Sequence, residues 1–433
     1  MAAGAKINKL ALLVGGGPAP GINGVISAVT IEAINNGIQV FGIRDGFKDL
    51  VRGSADGVHK LTIEDVRDKA MRGGSMLGTA RTNPTKSAAD MGRVLDVFHS
   101  QGFDAVVTIG GDDTAYSASE VYKGAKGSIR VAHVPKTIDN DLPLPGSTPT
   151  FGFETARQLG VDIVHNLAED ARTTSRWYII VSMGRAAGHL ALGIGKAAAA
   201  TLTIIPEEFR GRQVTIAELC DLIVGAIVKR ASQKRYYGVV VLAEGLIEAI
   251  GETALTAAMD SGQLGRYGQL SRDPHGHLRL GEIEFGRMMR DLLAGGLEQI
   301  GLKTTLIDKD LGYELRCADP IPFDAEYTRD LGYGAVKFLR SEAATRIGAV
   351  ISYVEGRMDP LPFDQLLNPQ TKRMKNRKVD VSGEGYECAR RYMIRLDRTD
   401  FEDPERLHRL AAAAGMSPDQ FRQRFEYVVA HDA

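Results

Sequence analysis

Two polar segments, each at the end of an apolar run, contain the side chains best suited to chemistry in this sequence. Residues 110–114 (Gly-Gly-Asp-Asp-Thr) follow the apolar run 103–109, and residues 135–141 (Pro-Lys-Thr-Ile-Asp-Asn-Asp) follow the run 129–134. The apolar runs predict buried strands, and the glycine pair allows a tight backbone turn beside a ligand. Loops at the carboxyl ends of neighbouring strands are where open α/β sheets bind their ligands. The carboxylates, hydroxyls and ammonium of these segments therefore predict a polar binding site at that edge.

A glycine-rich segment at residues 15–24 (Gly-Gly-Gly-Pro-Ala-Pro-Gly-Ile-Asn-Gly) is a third candidate. It lies between a strand-sized apolar run at 10–14 and a helical pattern that starts near Val25. A strand, a glycine loop and a helix amino terminus can hold a phosphate, because unpaired backbone N–H groups and the helix dipole point at the anion. The segment matches neither the Walker nor the Rossmann fingerprint. Taken alone, it would be interpreted as an ordinary turn between a strand and a helix.

The composition argues against several classes of protein. The chain has 433 residues, with 53 basic and 54 acidic side chains and a net charge of −1, so no global charge attracts nucleic acid or an anionic membrane. This length predicts two or three lobes. The cysteines, Cys220, Cys317 and Cys388, are scattered and lack metal-ligand spacing, which predicts a reduced cytoplasmic protein without a zinc site. No segment resembles a signal peptide or a membrane span, so we expect neither secretion nor membrane insertion.

The order of the periodic patterns predicts the fold class. Across residues 1–150, strand-like and helix-like patterns alternate, which predicts a mostly parallel sheet with helices on both faces. Later strands are predicted at 177–182, 201–206, 236–243 and 348–354, and later helices at 154–172, 214–230, 325–339 and within 398–433. Residues 251–280 are polar and glycine-rich, and they predict a helix followed by a variable insertion. The overall prediction is an α/β protein with two successive lobes.

These motifs, in this order, resemble the phosphofructokinase family, and more narrowly its pyrophosphate-dependent branch. The resemblance rests on residues 110–114, residues 135–141 and the Met-Gly-Arg segment at 183–185, and it covers about residues 9–356. It implies two Rossmann-like lobes with mainly parallel sheets flanked by helices and an active site in the cleft between them. The implied donor and Mg²⁺ lobe is residues 1–150 plus about 312–345, and the implied sugar-phosphate lobe, with a C-terminal extension, is residues 151–311 plus about 346–433.

The resemblance also implies a reaction and the roles of individual residues. The implied reaction is reversible, Mg²⁺-dependent phosphoryl transfer from pyrophosphate to the 1-hydroxyl of fructose 6-phosphate, in glycolysis and gluconeogenesis. Asp139 corresponds to the base that accepts the hydroxyl proton, and Asp112 to the Mg²⁺ ligand. Arg81 and Lys136 correspond to cations that neutralise charge on the phosphates. The implied donor contacts are Gly16, Gly17, Asp113 and Lys136, and the implied sugar-phosphate contacts are Thr137, Asp139, Asp141, Arg176, Met183, Gly184, Arg185, Glu244, Lys303, Tyr313 and Arg316.

Some positions depart from the family pattern or match it ambiguously. Pro18 stands where the glycine loop of the family has aspartate, which removes a carboxylate from the entry of the implied phosphate site. Tyr313 replaces a histidine, so this ring keeps a hydrogen-bonding group and loses a titration near neutral pH. The cation upstream of Tyr313 corresponds to Lys303 or to Lys309, and Lys303 is the preferred match.

The choice of phosphoryl donor depends on two side chains. ATP-using members of the family have glycine at the position of Asp113, and commonly glycine at the position of Lys136. A carboxylate at Asp113 opposes the α-phosphate of a nucleotide, whereas Lys136 supplies a cation suited to compact pyrophosphate. ATP as the donor, sedoheptulose 7-phosphate as the acceptor and a noncatalytic regulatory subunit are the alternatives. The noncatalytic interpretation is opposed by the presence of Thr137, Asp139, Asp141 and Arg185.

The resemblance implies a homodimer or homotetramer with shared active sites. In such an assembly Arg176, and with it Arg316 or Lys303, would complete the site of a neighbouring subunit. The basic segment at 372–378 (Lys-Arg-Met-Lys-Asn-Arg-Lys) is interpreted as a solvated surface, and the alternatives are that it lines the anion site or binds an anionic regulator. Fructose 6-phosphate and pyrophosphate are the expected partners, and no nucleic acid or membrane is expected.

Overall fold

The computed structural model describes residues 6–268, 271, 279–368, 370–371 and 375–430. Among them are eleven strands, numbered in chain order. These strands are β1 (Lys9–Val14), β2 (Gln39–Ile43), β3 (Val58–Leu61), β4 (Ala105–Gly110), β5 (Arg130–Pro135), β6 (Arg176–Ser182), β7 (Leu202–Ile204), β8 (Gly238–Ala243), β9 (Thr305–Leu311), β10 (Ala349–Val354) and β11 (Arg357–Pro362).

Helices separate most of these strands and continue past the last one. In chain order they are α1 (Ile22–Asn35), α2 (Ile63–Arg67), α3 (Ala88–Ser100), α4 (Asp112–Ala125), α5 (Phe153–Thr174), α6 (His189–Ala197), α7 (Ile216–Ser232), α8 (Leu246–Ala258), α9 (Ser261–Leu264), α10 (Phe285–Gln299), α11 (Pro322–Arg340), α12 (Phe363–Leu366), α13 (Glu384–Tyr392), α14 (Arg398–Glu402), α15 (Pro404–Ala413) and α16 (Pro418–Phe425). In the part of the chain that the structure describes, no helix is both long and apolar enough to cross a membrane.

The chain divides into two compact units, and the first contains the larger sheet. This unit comprises Met1–Ala156 and Tyr313–Arg377. Its strands have the order β11-β10-β5-β4-β1-β2-β3. The inner pairs are parallel, whereas β3 and β11 are antiparallel edge strands. The parallel strands alternate with helices in the chain, as the β–α alternation of the sequence predicts.

Each face of this sheet has its own hydrophobic core. In β1, Leu10 and Leu12 belong to the core that α1 and α11 cover, while Ala11 and Leu13 belong to the core on the opposite face. Successive residues of a strand point to opposite faces, so a continuous apolar run indicates a strand that is buried on both sides. The continuous apolar run predicted for β1 is therefore confirmed as a buried parallel strand.

The second unit comprises Arg157–Gly312 and Lys378–Ala433 and has a smaller, parallel sheet. Its strand order is β7-β8-β6-β9. The side chain of Trp177 in β6 is completely buried in a core that also contains Phe421 and Phe425 of α16. The C-terminal extension is therefore an integral part of this core.

The structure corrects the predicted assignment of the residues after about 346. These residues were expected in the second lobe, but β10 pairs with β5 and β11 pairs with β10, which places both strands in the first sheet. The first unit accordingly continues to Arg377. Strand neighbours are determined by packing and hydrogen bonding across the sheet, and these need not follow the order of the chain.

Three edge strands were not predicted from the sequence. They are β3, β9 and β11, and most of their side chains are partly or fully exposed. β9 contains Asp308, Lys309 and Asp310, so it lacks the continuous apolar run of an inner strand. Part of the insertion predicted within residues 251–280 lies outside the described residues.

The contribution of the C-terminal extension can be measured with Phe421→Ala. Removing this fully buried ring leaves a cavity, and we expect the free energy of unfolding of the second unit to fall by about 3–5 kcal/mol. Denaturant titration followed by Trp177 fluorescence measures this change. Tyr392→Ala is the control, because the Tyr392 ring is 84% exposed. Equal effects of the two substitutions would contradict an integral role for α16.

Candidate functional site

The loops after β4 and β5 lie side by side, as their sequences predict. Gly110 and Pro135 are partners in the parallel ladder, and the backbone N–H of Lys136 donates to the carbonyl of Gly110 over 2.8 Å. α4 begins immediately afterwards, with Asp112 and Asp113 in its first turn. The carboxyl ends of these strands therefore hold two acidic side chains beside an ammonium.

The glycine loop after β1 approaches both of these loops closely. A Cβ at Gly15 would lie 2.5 Å from Oγ1 of Thr114, and one at Gly17 would collide with the guanidinium of Arg316. Gly16 has a φ of 84°, a conformation that favours glycine. Larger residues would therefore displace the loop from Thr114 and Arg316.

The ammonium of Lys136 is buried between this loop and the acidic side chains. Its Nζ donates to the carbonyl of Gly17 over 2.6 Å, and the residue is only 6% exposed. Burial, with a smaller contribution from the charge of Arg316, lowers the pKa of Lys136 to about 8, and the charges of Asp139 and Asp141 act in the opposite direction. The site thus holds a partly desolvated cation close to carboxylates.

Thr137 forms hydrogen bonds with both acidic residues of the second loop. The backbone N–H of Asp139 donates to Oγ1 of Thr137 over 3.0 Å. Burial raises the pKa of Asp141, the charge of Asp112 raises it further, and a hydrogen bond from the Thr137 side chain opposes the increase. Asp112 and Asp141 are therefore close enough to repel each other.

The remaining candidate residues of the first unit are more exposed than Lys136. Arg81 is exposed, and its charge contributes to the low pKa of Lys136. Asp113 is also exposed. The guanidinium of Arg316 lies 5.4 Å from the ring centroid of Tyr313, which is 79% exposed.

His133 is a residue of this region that the sequence analysis missed. It is completely buried in β5, with Nδ1 2.8 Å from Oγ1 of Thr108 and Nε2 3.0 Å from the carbonyl of Gly110. Burial lowers the pKa of His133 to about 3, so the ring is neutral near pH 7. Because the Gly110 carbonyl can only accept, Nε2 donates and Nδ1 accepts from Thr108. The available signal was a polar residue among the apolar residues 131–134.

In the second unit, the loops after β6 and β8 are also brought together. Glu244 accepts a hydrogen bond from the backbone N–H of Gly184 over 3.2 Å, and its own N–H donates to the carbonyl of Ser182 over 2.9 Å. A Cβ at Gly245 would lie 2.5 Å from the carbonyl of Arg185. Met183 donates to the carbonyl of Leu311 over 2.8 Å. The Met-Gly-Arg segment and Glu244 therefore form one group.

Arg176 and Lys303 do not belong to that group. Arg176 is the first residue of β6, and it pairs in the ladder with Thr305 at the start of β9, two residues after Lys303. Met183 to Arg185 follow the opposite end of this seven-residue strand, which spans about 20 Å. Lys309, the alternative to Lys303, lies within β9 and donates to the carbonyl of Asp310 over 2.7 Å.

The adjacent acids Glu207 and Glu208, which follow β7, both contact other residues of the second unit. Glu207 accepts from the backbone N–H groups of Gly188 over 2.9 Å and Val379 over 3.2 Å. Glu208 forms an ion pair of 2.5 Å with Arg395. Glu207 thereby fixes the amino end of α6, which follows the Met-Gly-Arg segment.

Known proteins with similar sequences establish the family of this chain. The sequence pattern of the family described as Phosphofructokinase matches residues 9–339. The chain belongs to the phosphofructokinase family. Two relatives match it over nearly their whole length, and both are named pyrophosphate--fructose 6-phosphate 1-phosphotransferase. The one from Thermotoga maritima is 51% identical over 96% of this chain and 98% of its own. The one from Naegleria fowleri is 49% identical over 98% of this chain and 96% of its own.

A solved phosphofructokinase has the same fold. The pyrophosphate-dependent phosphofructokinase from Marinobacter aquaeolei superposes with a TM-score of 0.65 at 16% identity, over 98% of this chain and 92% of that one. The predicted α/β class, with mainly parallel sheets flanked by helices, is confirmed. At this identity the similarity concerns the fold alone.

The side chains of this family member offer few ready-made ligands for a metal ion. Within the described ranges, no group of three or more His, Cys, Asp or Glu side chains could hold an ion. Mg²⁺ commonly binds one or two carboxylates and completes its octahedron with phosphate oxygens and water. Asp112, close to the half-buried Asp141, fits that kind of site because a cation would relieve the repulsion between the two carboxylates.

The neutral state of His133 predicts a pH dependence of stability. In the unfolded chain a histidine binds a proton below about pH 6.5, whereas folded His133 does so only near pH 3. The unfolded state therefore binds more protons as the pH falls, and between pH 7 and pH 5 His133 should cost about 2 kcal/mol of unfolding free energy. His133→Gln, which keeps a donor and an acceptor, should lose this component in denaturant titrations. His408→Gln, at an exposed position, is the control, and identical pH profiles for all three proteins would contradict the assignment.

Proposed function

We propose that the chain catalyses reversible phosphoryl transfer from pyrophosphate to the 1-hydroxyl of fructose 6-phosphate, giving fructose 1,6-bisphosphate and phosphate. The observation that best supports this proposal is the buried Lys136 ammonium, bonded to the carbonyl of Gly17 and close to Arg316. Two cations beside a glycine loop suit a compact, highly charged anion. Two relatives that match over nearly their whole length, at 51% and 49% identity, are named for this reaction.

In this proposal, the first unit binds the donor. Lys136, Arg316 and the exposed Arg81 neutralise the charge of pyrophosphate and of the phosphoryl group during transfer. The glycine loop at residues 15–24 lets the backbone approach the phosphates. Asp113, exposed on the first turn of α4, opposes the additional phosphate of a nucleotide and so favours pyrophosphate over ATP.

Asp139 accepts the proton of the 1-hydroxyl as the oxygen attacks phosphorus. Phosphoryl transfer needs one such base, and its position matters more than its intrinsic strength. The hydrogen bond between the backbone N–H of Asp139 and Thr137 orients the loop, and the Thr137 side chain also bonds to Asp141. Asp141 orients the substrate beside the base. In this proposal a single carboxylate carries out the catalytic proton transfer.

Asp112 would hold Mg²⁺ together with phosphate oxygens. When bound, the ion would offset the charge of the phosphates and orient them for attack. The adjacent Asp141 carboxyl, with its raised pKa, would then lie beside a cation as well as beside Asp112. Removal of divalent ions with a chelator should abolish turnover.

The second unit binds the sugar phosphate. Arg185 and the backbone at Met183 and Gly184 hold the phosphate, and Glu244 accepts hydrogen bonds from the sugar hydroxyls. The existing bond between the Gly184 N–H and Glu244 supports a preformed site for this ligand. Tyr313 is proposed to add a contact to the sugar phosphate. Arg316, which the resemblance assigns to the same ligand, lies against Gly17 of the glycine loop and is assigned to the donor instead.

A homodimer or homotetramer with shared sites is the proposed assembly. Arg176 and Lys303 lie at the amino ends of β6 and β9, so about 20 Å of strand separates them from Arg185. A phosphate held by Arg185 is therefore out of reach of Arg176 in the same chain. Arg176 would instead contact the sugar phosphate of a neighbouring subunit.

The donor assignment can be tested by steady-state turnover of fructose 6-phosphate with Mg²⁺, using pyrophosphate or ATP. We expect pyrophosphate to be preferred by at least about a hundredfold and the reverse reaction with phosphate to proceed. The Asp113→Gly/Lys136→Gly variant should lose most of its turnover with pyrophosphate, because it lacks the Lys136 ammonium that binds this anion. It should gain turnover with ATP, because it also lacks the Asp113 carboxylate that repels the additional phosphate of a nucleotide.

Lys126→Gly is the control for that variant, because it removes a cation from the other end of the same helix at a residue whose φ of 50° suits glycine. Its donor preference should equal that of the unchanged chain. A preference for ATP in the unchanged chain would overturn the donor assignment. Faster turnover of sedoheptulose 7-phosphate would change the acceptor, and no turnover with either donor would favour a regulatory subunit.

Shared active sites predict complementation between two inactive variants. Arg176→Ala and Asp139→Asn should each lower kcat by about 10²-fold or more. Mixed after reversible dissociation, they should recover up to about one quarter of the original activity, because half of random dimers are hybrids with one intact site. Mixing two preparations of Asp139→Asn is the control. Activity that stays at the level of the separate variants would contradict a shared site.

A further inference from the structure

Arg377 in the basic segment contacts the loop that contains the proposed catalytic base. Its backbone N–H donates to the carbonyl of Asp141 over 2.6 Å. Its Nε donates to the carbonyl of Asn140 over 3.2 Å, and Nη1 donates to the carbonyl of Thr148 over 3.0 Å. Nη2 donates to Oδ1 of Asn140. The solvated surface predicted for residues 372–378 is therefore wrong at Arg377, and residues 372–374 lie outside the described ranges.

Asn140 is the point at which this loop bends. It has a left-handed backbone, with a φ of 54°, and it separates Asp139 from Asp141. Asparagine tolerates this conformation better than most residues, but only glycine adopts it without strain. Its Oδ1 also accepts from the backbone N–H of Thr150 over 3.1 Å, and Oγ1 of Thr150 donates to the carbonyl of Thr137 over 2.7 Å. The direction of both carboxylates thus depends on how Asn140 is held.

The contacts of Arg377 suit support of the loop better than contact with substrate. All three of its side-chain nitrogens already donate to oxygens of residues 140 and 148, and the side chain is half-buried. Burial lowers the pKa of Arg377, and the charge of Asp141 opposes this effect. A planar guanidinium can make these bonds together in a fixed geometry, whereas the ammonium of lysine is a single point donor.

We propose that Arg377 is a positioning residue, which holds Asn140 in its left-handed conformation and thereby directs the carboxylates of Asp139 and Asp141. This inference rests on the proposed function, in which Asp139 accepts the proton of the sugar hydroxyl. Small displacements of a catalytic group can cost large factors in rate even when the substrates still bind. The effect should therefore appear in kcat more than in KM.

The test compares Arg377→Met and Arg377→Lys with Lys375→Met. Lys375 is exposed and has the same charge in the same segment, so its removal should leave turnover unchanged. Arg377→Met should lower kcat by about 10–100-fold, with KM for pyrophosphate and fructose 6-phosphate changed by less than about threefold. Arg377→Lys should give an intermediate kcat, which keeps the test informative if Arg377→Met folds poorly.

A double-mutant cycle identifies the route of the effect. If Arg377 acts through Asn140, the Asn140→Ala/Arg377→Met variant should have a kcat within about threefold of the slower single variant. Multiplicative losses would overturn the inference, because they mean that Arg377 acts independently of Asn140. A kcat for Arg377→Met within about twofold of the original, or a large increase in KM at constant kcat, would also overturn it.

Failure of the proposed function would be recognised separately. The unchanged chain would then lack turnover with pyrophosphate, or Asp139→Asn would retain full turnover. A failed inference about Arg377 would leave both of those results as expected, with normal turnover of the unchanged chain and a large loss for Asp139→Asn.

Discussion

The candidate site in the first unit depends on the buried ammonium of Lys136. A cation removed from water is destabilising unless carbonyl oxygens and carboxylates surround it. Here the carbonyl of Gly17 accepts a hydrogen bond from the ammonium, and the charges of Asp139 and Asp141 oppose the effect of burial on the pKa of Lys136. These partners come from the glycine loop after β1 and from the loop after β5. A single side chain therefore connects two segments at the same edge of the sheet.

The loops around the Lys136 ammonium are closely packed, and their charged side chains repel one another. Thr114 lies directly against Gly15 and Gly110, and a side chain at either glycine would displace it. Because the loops approach so closely, cations of three separate segments act on one another, as the lowered pKa of Lys136 indicates. The nearby carboxylates repel one another in the same way, as the raised pKa of Asp141 indicates. A bound phosphate would reduce the repulsion between the cations, and a bound metal ion would reduce the repulsion between the carboxylates.

In the second unit, carboxylates rather than an ammonium connect neighbouring segments of the chain. The neighbouring parallel strands β6 and β8 end side by side, and Glu244 accepts a hydrogen bond from the backbone N–H of Gly184 in the adjacent loop. Glu207 does the same for Gly188 at the start of α6. Backbone N–H groups in glycine-containing loops thus have fixed partners before any substrate binds. A preformed loop loses less conformational entropy when it receives a ligand.

The sequence by itself determined the inner strands and the loops at their ends, which contain most of the candidate site residues. A strand buried on both faces is a continuous apolar run, so β1, β4, β5 and β6 could be recognised without tertiary contacts. Only the tertiary structure decided that β10 and β11 join the first sheet, that His133 is a neutral buried donor, and that Arg377 supports Asn140. Arg377 and Asn140 are 237 residues apart in the chain. Contacts at such separation depend on the packing of the whole unit and leave no periodic pattern in the local sequence.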